Sequence, residues 1–283
     1  MFSGCASPKT ASSWDWMLEE GASHGLRPVS FNSGMFELAG MMRTGTEPES
    51  TLVVYIEGDG HALNEKNELT DDPTPRTPLS FLLAVSDPAP KLLYLARIGQ
   101  FNKHNTGNAY KKYWGNARFS VEAALAANQA IDQAKSMAKA ERIQLIGFSG
   151  GGGLAVILAE QRPDVANLVT VAALLNTAWW AQEYLPSKGG HKDYSGAFNL
   201  SINPADQASN ISSLPQLHFS GSQDAKIPPE MVDNFKKKAD FLFFRHVTVP
   251  CGHNQGWAAI WPQLLESHVL PLRGSNLEVF KEK

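Results

Sequence analysis

The sequence predicts an α/β protein, with a mostly parallel central sheet, helices on both faces and a small cap insertion. Three observations predict it. Short, wholly apolar runs such as "TLVVYIEG" and "KLLYLARI" recur along the chain, as strands buried on both faces require. Segments with apolar residues at helical spacing separate them, the alternation that builds a parallel sheet. The residues best suited to chemistry stand just past the apolar runs, and ligands on such sheets bind beyond the carboxyl ends of the strands.

The elements follow in chain order. Residues 1–26 are expected to form an N-terminal tether with a short helix near Trp14 to Glu20, and 27–283 one domain. "RPVSFNSGMFELAGMMR" alternates around Asn32-Ser33-Gly34 and reads as a β-hairpin. "TLVVYIEG" is a buried strand, the Asp- and Pro-rich "TDDPTPRTP" a loop, Leu79 to Val85 a short helix, and "KLLYLARI" the next strand. "RFSVEAALAANQAIDQAKSMAKA" is a long helix with Ser120 as its cap. "RIQLIGF" is a strand, Gly150 to Gln161 a helix, "NLVTVAALL" a strand. "PQLHFSG" and "RHVTVP" are strands separated by a helix around Pro229 to Lys238, and "GWAAIWPQLLESHVL" closes the chain as a helix. The stretch 178–214 is too long for a simple loop and reads as a cap whose Trp179 and Trp180 either wall a substrate pocket or pack on the body.

Composition bounds the function. The 283 residues are 43% hydrophobic and 19% charged, proportions of a soluble globular protein. A net charge of −3 gives no footprint for nucleic acid, and Lys236-Lys237-Lys238 reads as one exposed helical face. No run approaches the roughly 18 apolar residues of a membrane span. The opening Phe2-Ser3-Gly4-Cys5 looks like the lipidation site of a bacterial lipoprotein, although only four residues precede Cys5. A lipid anchor on Cys5 and a periplasm-facing place in the cell envelope are the expectation, with the cytoplasm as the alternative. Cys251 is the only other cysteine, so no disulfide framework is readable.

"IGFSGGGGLA", Ile146 to Ala155, carries the chemistry. A phosphate-binding loop needs Gly-Lys-Ser/Thr, and Gly153 is followed by Leu154. A dinucleotide fingerprint can be laid over Gly150, Gly152 and Ala155, but it belongs at the first βα unit with an acid after the next strand; here that strand runs into Leu175-Asn176-Thr177. Ser149 as a simple helix cap would leave Gly147 and Gly151 unexplained. A serine thrust out at a sharp strand-to-helix turn needs small neighbours on both sides, which is the logic of GxSxG.

A serine hydroxyl needs an imidazole to accept its proton and a carboxylate to orient that imidazole. Asp224 follows "LHFSGSQ" and His253 follows "VTVPCG", in the order Ser, Asp, His after successive late strands. Asp224 as a turn cap and His253 as a packed histidine are the bland alternatives; His61 is the one understudy. His61 with Asp59, and His191 with Asp193, are pairs rather than ligand sets, so neither a metal nor a cofactor is expected.

These residues resemble the α/β-hydrolase superfamily over roughly Arg27 to Leu272, and "VYIEGDG", "DPTPRTP" and "YLAR" are similar to a group of bacterial envelope α/β hydrolases. The resemblance implies a serine hydrolase of the carboxylesterase type acting on a small acyl substrate. Ser149 would be the nucleophile, His253 the general base and then acid, and Asp224 its orienting carboxylate. The oxyanion hole would use the backbone N–H of Gly150 and of Asp59. A peptidase or thioesterase with the same triad is the enzymatic alternative, and a non-catalytic envelope binding protein the alternative of another class. Glu57 and Asp59 would place negative charge near the acyl site and disfavour anionic substrates.

Overall fold

Successive side chains of a strand point to opposite faces, and here each face of the sheet has its own apolar core. In the computed structural model, which describes residues 13–46, 50–102, 104–105, 107–187, 196–274 and 280, strand β3 shows the rule. Its Leu52, Val54 and Ile56 enter one core and Val53 and Tyr55 the other. The strands are β1 (Arg27–Ser33), β2 (Phe36–Arg43), β3 (Thr51–Ile56), β4 (Leu92–Leu95), β5 (Arg142–Phe148), β6 (Val165–Val171), β7 (Gln216–Gly221) and β8 (Phe244–Val249). They form one eight-stranded sheet in the order β1-β2-β4-β3-β5-β6-β7-β8. β1 and β2 form an antiparallel hairpin and β2 lies antiparallel to β4; from β4 to β8 every pairing is parallel.

The helices are α1 (Ser13–Ser23), α2 (Leu79–Val85), α3 (Val121–Ala138), α4 (Gly150–Gln161), the short α5 (Thr177–Trp179) and α6 (Leu185–Ser187), α7 (Glu230–Lys236), α8 (Trp257–Leu264) and α9 (Leu270–Arg273). Residues of α3, α4 and α7 build the core on one face; α1, α2, α8 and α9 build the other. Helix α3 packs an inner stripe made almost wholly of alanine, and the Ser120 hydroxyl caps it by accepting from the Ala123 amide.

Two boundaries depart from expectation. The hairpin turns at Gly34-Met35, because Ser33 still pairs with Phe36 and Gly34 takes the positive φ of 66° that the reversal needs. Residues 13–26 belong to the domain rather than to a tether. Met17 is fully buried in the second core, Leu26 nearly so, and Trp14 and Trp16 pack on Phe101 and Phe81. The reason is hydrophobic: α1 covers apolar surface of α2 and β2 that would otherwise face water.

At the amino ends of the strands a buried ion pair ties the closing helices to the sheet. Asp87, its side chain fully buried, accepts from Arg273 Nη1 and Nη2 at 2.9 and 2.7 Å, from the Tyr55 hydroxyl at 2.8 Å and from the Ala89 amide at 2.9 Å. Replacing Asp87 with alanine removes the carboxylate that two nitrogens of a largely buried guanidinium share, and breaking a buried pair costs about 3–5 kcal/mol. Urea denaturation of Asp87→Ala is expected to show that loss; a midpoint unchanged from wild type would refute it.

Candidate active site

Strand β5 runs in the middle of the sheet and delivers Ser149 at its carboxyl end, where the chain turns at once into α4. The turn is strained. Ser149 has φ 52° and ψ −120°, a conformation that an L-residue holds at a cost of about 1–3 kcal/mol. The glycines make it feasible. A Cβ on Gly147 would strike the backbone of Gly151 and Gly152, and one on Gly151 would strike the carbonyls of Ile56 and Glu57. Gly152 and Gly153, which GxSxG does not account for, face Ala173 and the Leu174 carbonyl. The first turn of α4 is thus wedged between the ends of β3 and β6.

The capping reading of Ser149 does not hold, because its hydroxyl makes no cap bond. Instead Oγ lies 3.0 Å from His253 Nε2, and His253 Nδ1 lies 2.8 Å from Asp224 Oδ2. A carboxylate only accepts, so Nδ1 carries the proton and Nε2 is left free to accept from the serine. Asp224 is held in turn: its Oδ1 accepts from the amides of Lys226 and Ile227 at 2.8 and 2.9 Å, and its side chain is fully buried. The His253 ring leans on Phe148 with centroids 5.3 Å apart. Such a chain can remove a proton from the hydroxyl as it attacks and return it to a leaving group. His61, the understudy, is engaged through its backbone with Pro73 and Thr70.

A second chain of the same residue types runs across β7, β8 and α7. Ser220 Oγ is 2.6 Å from His246 Nε2, and His246 Nδ1 is 3.3 Å from Asp233 Oδ1. Residue type and distance alone therefore do not mark a reactive serine here. Ser220 is buried within the extended run of β7, paired with Thr248 across the sheet, and its hydroxyl is shared with the Thr248 hydroxyl at 3.1 Å. Ser149 alone of the two stands at a strand end under the amino terminus of a helix, where partial positive charge gathers.

The loop after β3 faces that terminus. Among the described residues, neither the Gly150 nor the Asp59 amide donates to a protein acceptor. The Asp59 carboxylate lies against Gly150, where a Cβ would collide with it and with Arg97. The expected negative charge is, however, cancelled. Asp59 Oδ1 pairs with Arg97 Nη1 at 2.5 Å and Oδ2 with Arg118 Nη1 at 2.6 Å. Burial opposes ionisation of Asp59, but the Arg118 and Arg97 guanidiniums overcome it and hold its carboxyl below the usual range. Glu57 is 1% exposed and faces away into a polar niche, where it accepts from the Gly58 amide at 2.9 Å and the Tyr94 hydroxyl at 3.1 Å. Discrimination against anionic substrates accordingly loses its basis.

Glu57 has a consequence of its own for stability. Burial raises its carboxyl to about 7 from an ordinary 4.5, against hydrogen bonds that lower it. The folded protein therefore binds a proton that the unfolded chain has already released, and stability falls by about 3 kcal/mol as pH rises from 4.5 through 7. Glu57→Gln keeps the acceptor for Gly58 and offers Tyr94 a donor. It is expected to melt near wild type at pH 5 and above it at pH 8 by thermal denaturation; parallel melting curves at both would contradict this.

No family model matches the sequence, and no curated protein does. Solved structures do. An esterase of Pyrococcus furiosus superposes with a TM-score of 0.64 over 97% of this chain and 99% of its own, at 13% identity. Est1E from Butyrivibrio proteoclasticus gives 0.59 over 87% of this chain and 99% of its own, at 15% identity. The chain has the α/β-hydrolase fold. A puromycin hydrolase also superposes, at 0.61 and 16% identity, over 89% of this chain but 39% of its own.

On this hydrolase fold the described residues of the stretch 178–214 meet two loops at the carboxyl edge. At one end Trp180 Nε1 donates to the Lys226 carbonyl at 2.9 Å and the Tyr184 hydroxyl to that of Ala225 at 3.2 Å, both next to Asp224. At the other, Phe198 stacks on Phe119, and the Ser201 hydroxyl bridges Asn116 and Phe119, beside Arg118. Trp179 stacks on Tyr184 and Trp180 meets Phe198 edge-on, both partners within the stretch itself, and the two half-buried rings also touch the apolar core on one face of the sheet. Cys5, His191 and Asp193 lie outside the described residues. Sequence reasoning missed Arg97 and Arg118. Arg97 stands directly after the apolar run of β4, the kind of position where chemistry gathers on this fold, and that was the available signal.

Proposed function

We propose that the protein is a serine hydrolase that cleaves a carboxylic ester or related acyl bond through an acyl-enzyme. One observation carries the reading: the only strained, positive-φ serine among the described residues is also the one whose hydroxyl meets an imidazole oriented by a buried carboxylate. Ser149 Oγ attacks the carbonyl carbon as His253 Nε2 takes its proton, and the carbonyl π pair moves to oxygen. The unengaged amides of Gly150 and Asp59 receive that oxyanion. Collapse expels the leaving group, which takes the proton from His253, and water repeats the sequence on the acyl-enzyme. The stretch 178–214 acts as a small cap that places Trp179 and Trp180 beside the Asp224 loop, as apolar walls for the substrate.

The triad does not choose a leaving group, so the assay is a panel of neutral ester, thioester and amide substrates together with fluorophosphonate labelling. Turnover of the esters and a mapped adduct on Ser149 are expected. An unlabelled Ser149 in folded protein would overturn the reading in favour of a binding protein on a hydrolase fold. We place the protein in the bacterial envelope through a lipid on Cys5; palmitate incorporation lost in Cys5→Ala tests that separately.

A further inference from the structure

The loop that offers the Asp59 amide is fixed by more bonds than its length requires. Gln100 Nε2 donates to the Gly58 carbonyl at 2.9 Å, and Gln100 Oε1 in turn accepts from the Arg97 amide at 3.0 Å. The Arg97 guanidinium also donates to the backbone carbonyl of Arg118, which ties it to the segment that carries the second guanidinium on Asp59. Both are stiffened by aromatic faces: Arg97 lies over Phe119 at 5.2 Å and Arg118 over Phe198 at 5.0 Å from the ring centroids. Their side chains are only 7% and 13% exposed. A planar, permanently charged fork held this way has almost no freedom, and neither does the carboxylate between the forks.

The placement of that carboxylate is the unusual feature. It touches Gly150, whose amide is one of the two unengaged donors, and Asp59 supplies the other. A bare carboxylate in that position would repel the negative oxygen formed during acyl transfer, and hydrogen bonds to developing charge are strongest where water is excluded. We infer that Arg97 and Arg118 are positioning residues for acyl transfer that act through Asp59: they aim its amide at the oxyanion and neutralise its carboxylate. The inference rests on the proposed hydrolase function and names what makes its oxyanion site work. Asp59 then serves as the anchor by which two distant segments, the end of β4 and the loop before α3, hold the donor loop.

The test uses the full-length protein and the best neutral p-nitrophenyl ester of the panel. Arg97→Met is expected to lower kcat about 100-fold, the range for losing one oxyanion donor, with KM changed less than about threefold. The rate of phosphonylation of Ser149 should fall in parallel, because that reaction also builds charge on an oxygen in the same site. Adding Asp59→Asn to Arg97→Met removes the carboxylate that Arg118 alone then holds, and should recover about tenfold of the lost kcat. If Arg97→Met does not fold, Arg118→Gln, nearer the surface, carries the same measurements. Unchanged kcat in an active background, a change in KM alone, or a double variant no faster than the single overturns this inference while leaving the hydrolase reading intact. A wild type that neither turns over esters nor labels at Ser149 overturns both.

Discussion

Ser149→Ala is expected to lower kcat by about a millionfold, the scale of losing the nucleophile from such a triad, and Ser149→Gly by as much. The two should differ in stability. Both lose the 3.0 Å bond to His253, but alanine keeps a Cβ at φ 52° and ψ −120° while glycine is at ease there. Glycine also makes the unfolded chain more flexible, which takes back part of the gain. The net expectation is a glycine variant more stable than the alanine variant by about 1 kcal/mol. Ester turnover and thermal melting of the pair measure both halves. Residual activity above a thousandth of wild type would remove Ser149 from the chemistry, and equal melting temperatures would show that the turn stores no strain.

Asp224→Asn should lower kcat by about 10⁴ with little change in fold. The geometry explains so large an effect from one atom. Oδ1 already accepts from the Lys226 and Ile227 amides, so the asparagine oxygen stays there and its NH2 group is turned toward His253 Nδ1. A donor facing Nδ1 forces the ring proton onto Nε2, and Nε2 can then no longer accept from Ser149. KM is expected to stay within a few-fold, since no substrate contact is altered. Steady-state kinetics decide the matter. A loss below tenfold would mean that Asp224 only shapes its loop, and that His253 finds its orientation elsewhere, for instance from its packing on Phe148.

How much of this was legible in the sequence depends on what kind of signal each feature leaves. Apolar runs and helical spacing are local, and they placed β3, β5, β7, α2, α3 and α4 within a residue or two. Helix α1 left a short, weak pattern, and only its contact with α2 and β2 shows that it is part of the body. Ser149, Asp224 and His253 were readable because each stands just past an apolar run, and the sheet is obliged to bring such ends together. Gly152 and Gly153 were not, since a glycine required by close approach looks in sequence like any other; the neighbours at Ala173 and Leu174 supply the reason.

Charge was where the sequence misled. Glu57 and Asp59 are two acids in one short loop, and counting them predicts a negative site. Partners from residues 97 and 118 reverse that for Asp59, and burial beside Tyr94 turns Glu57 away from it. The sequence by itself determined the order of strands and helices, the strand-to-helix turn that presents Ser149, and the identity of the residues beyond the strand ends. Only the tertiary structure decided that the Ser149 hydroxyl meets His253 and, through it, Asp224, and that the acid at 59 is locked between two arginines. Periodicity is written along the chain, whereas the sign and strength of a local field depend on which distant charges the fold brings within a few ångströms and how much water it leaves between them.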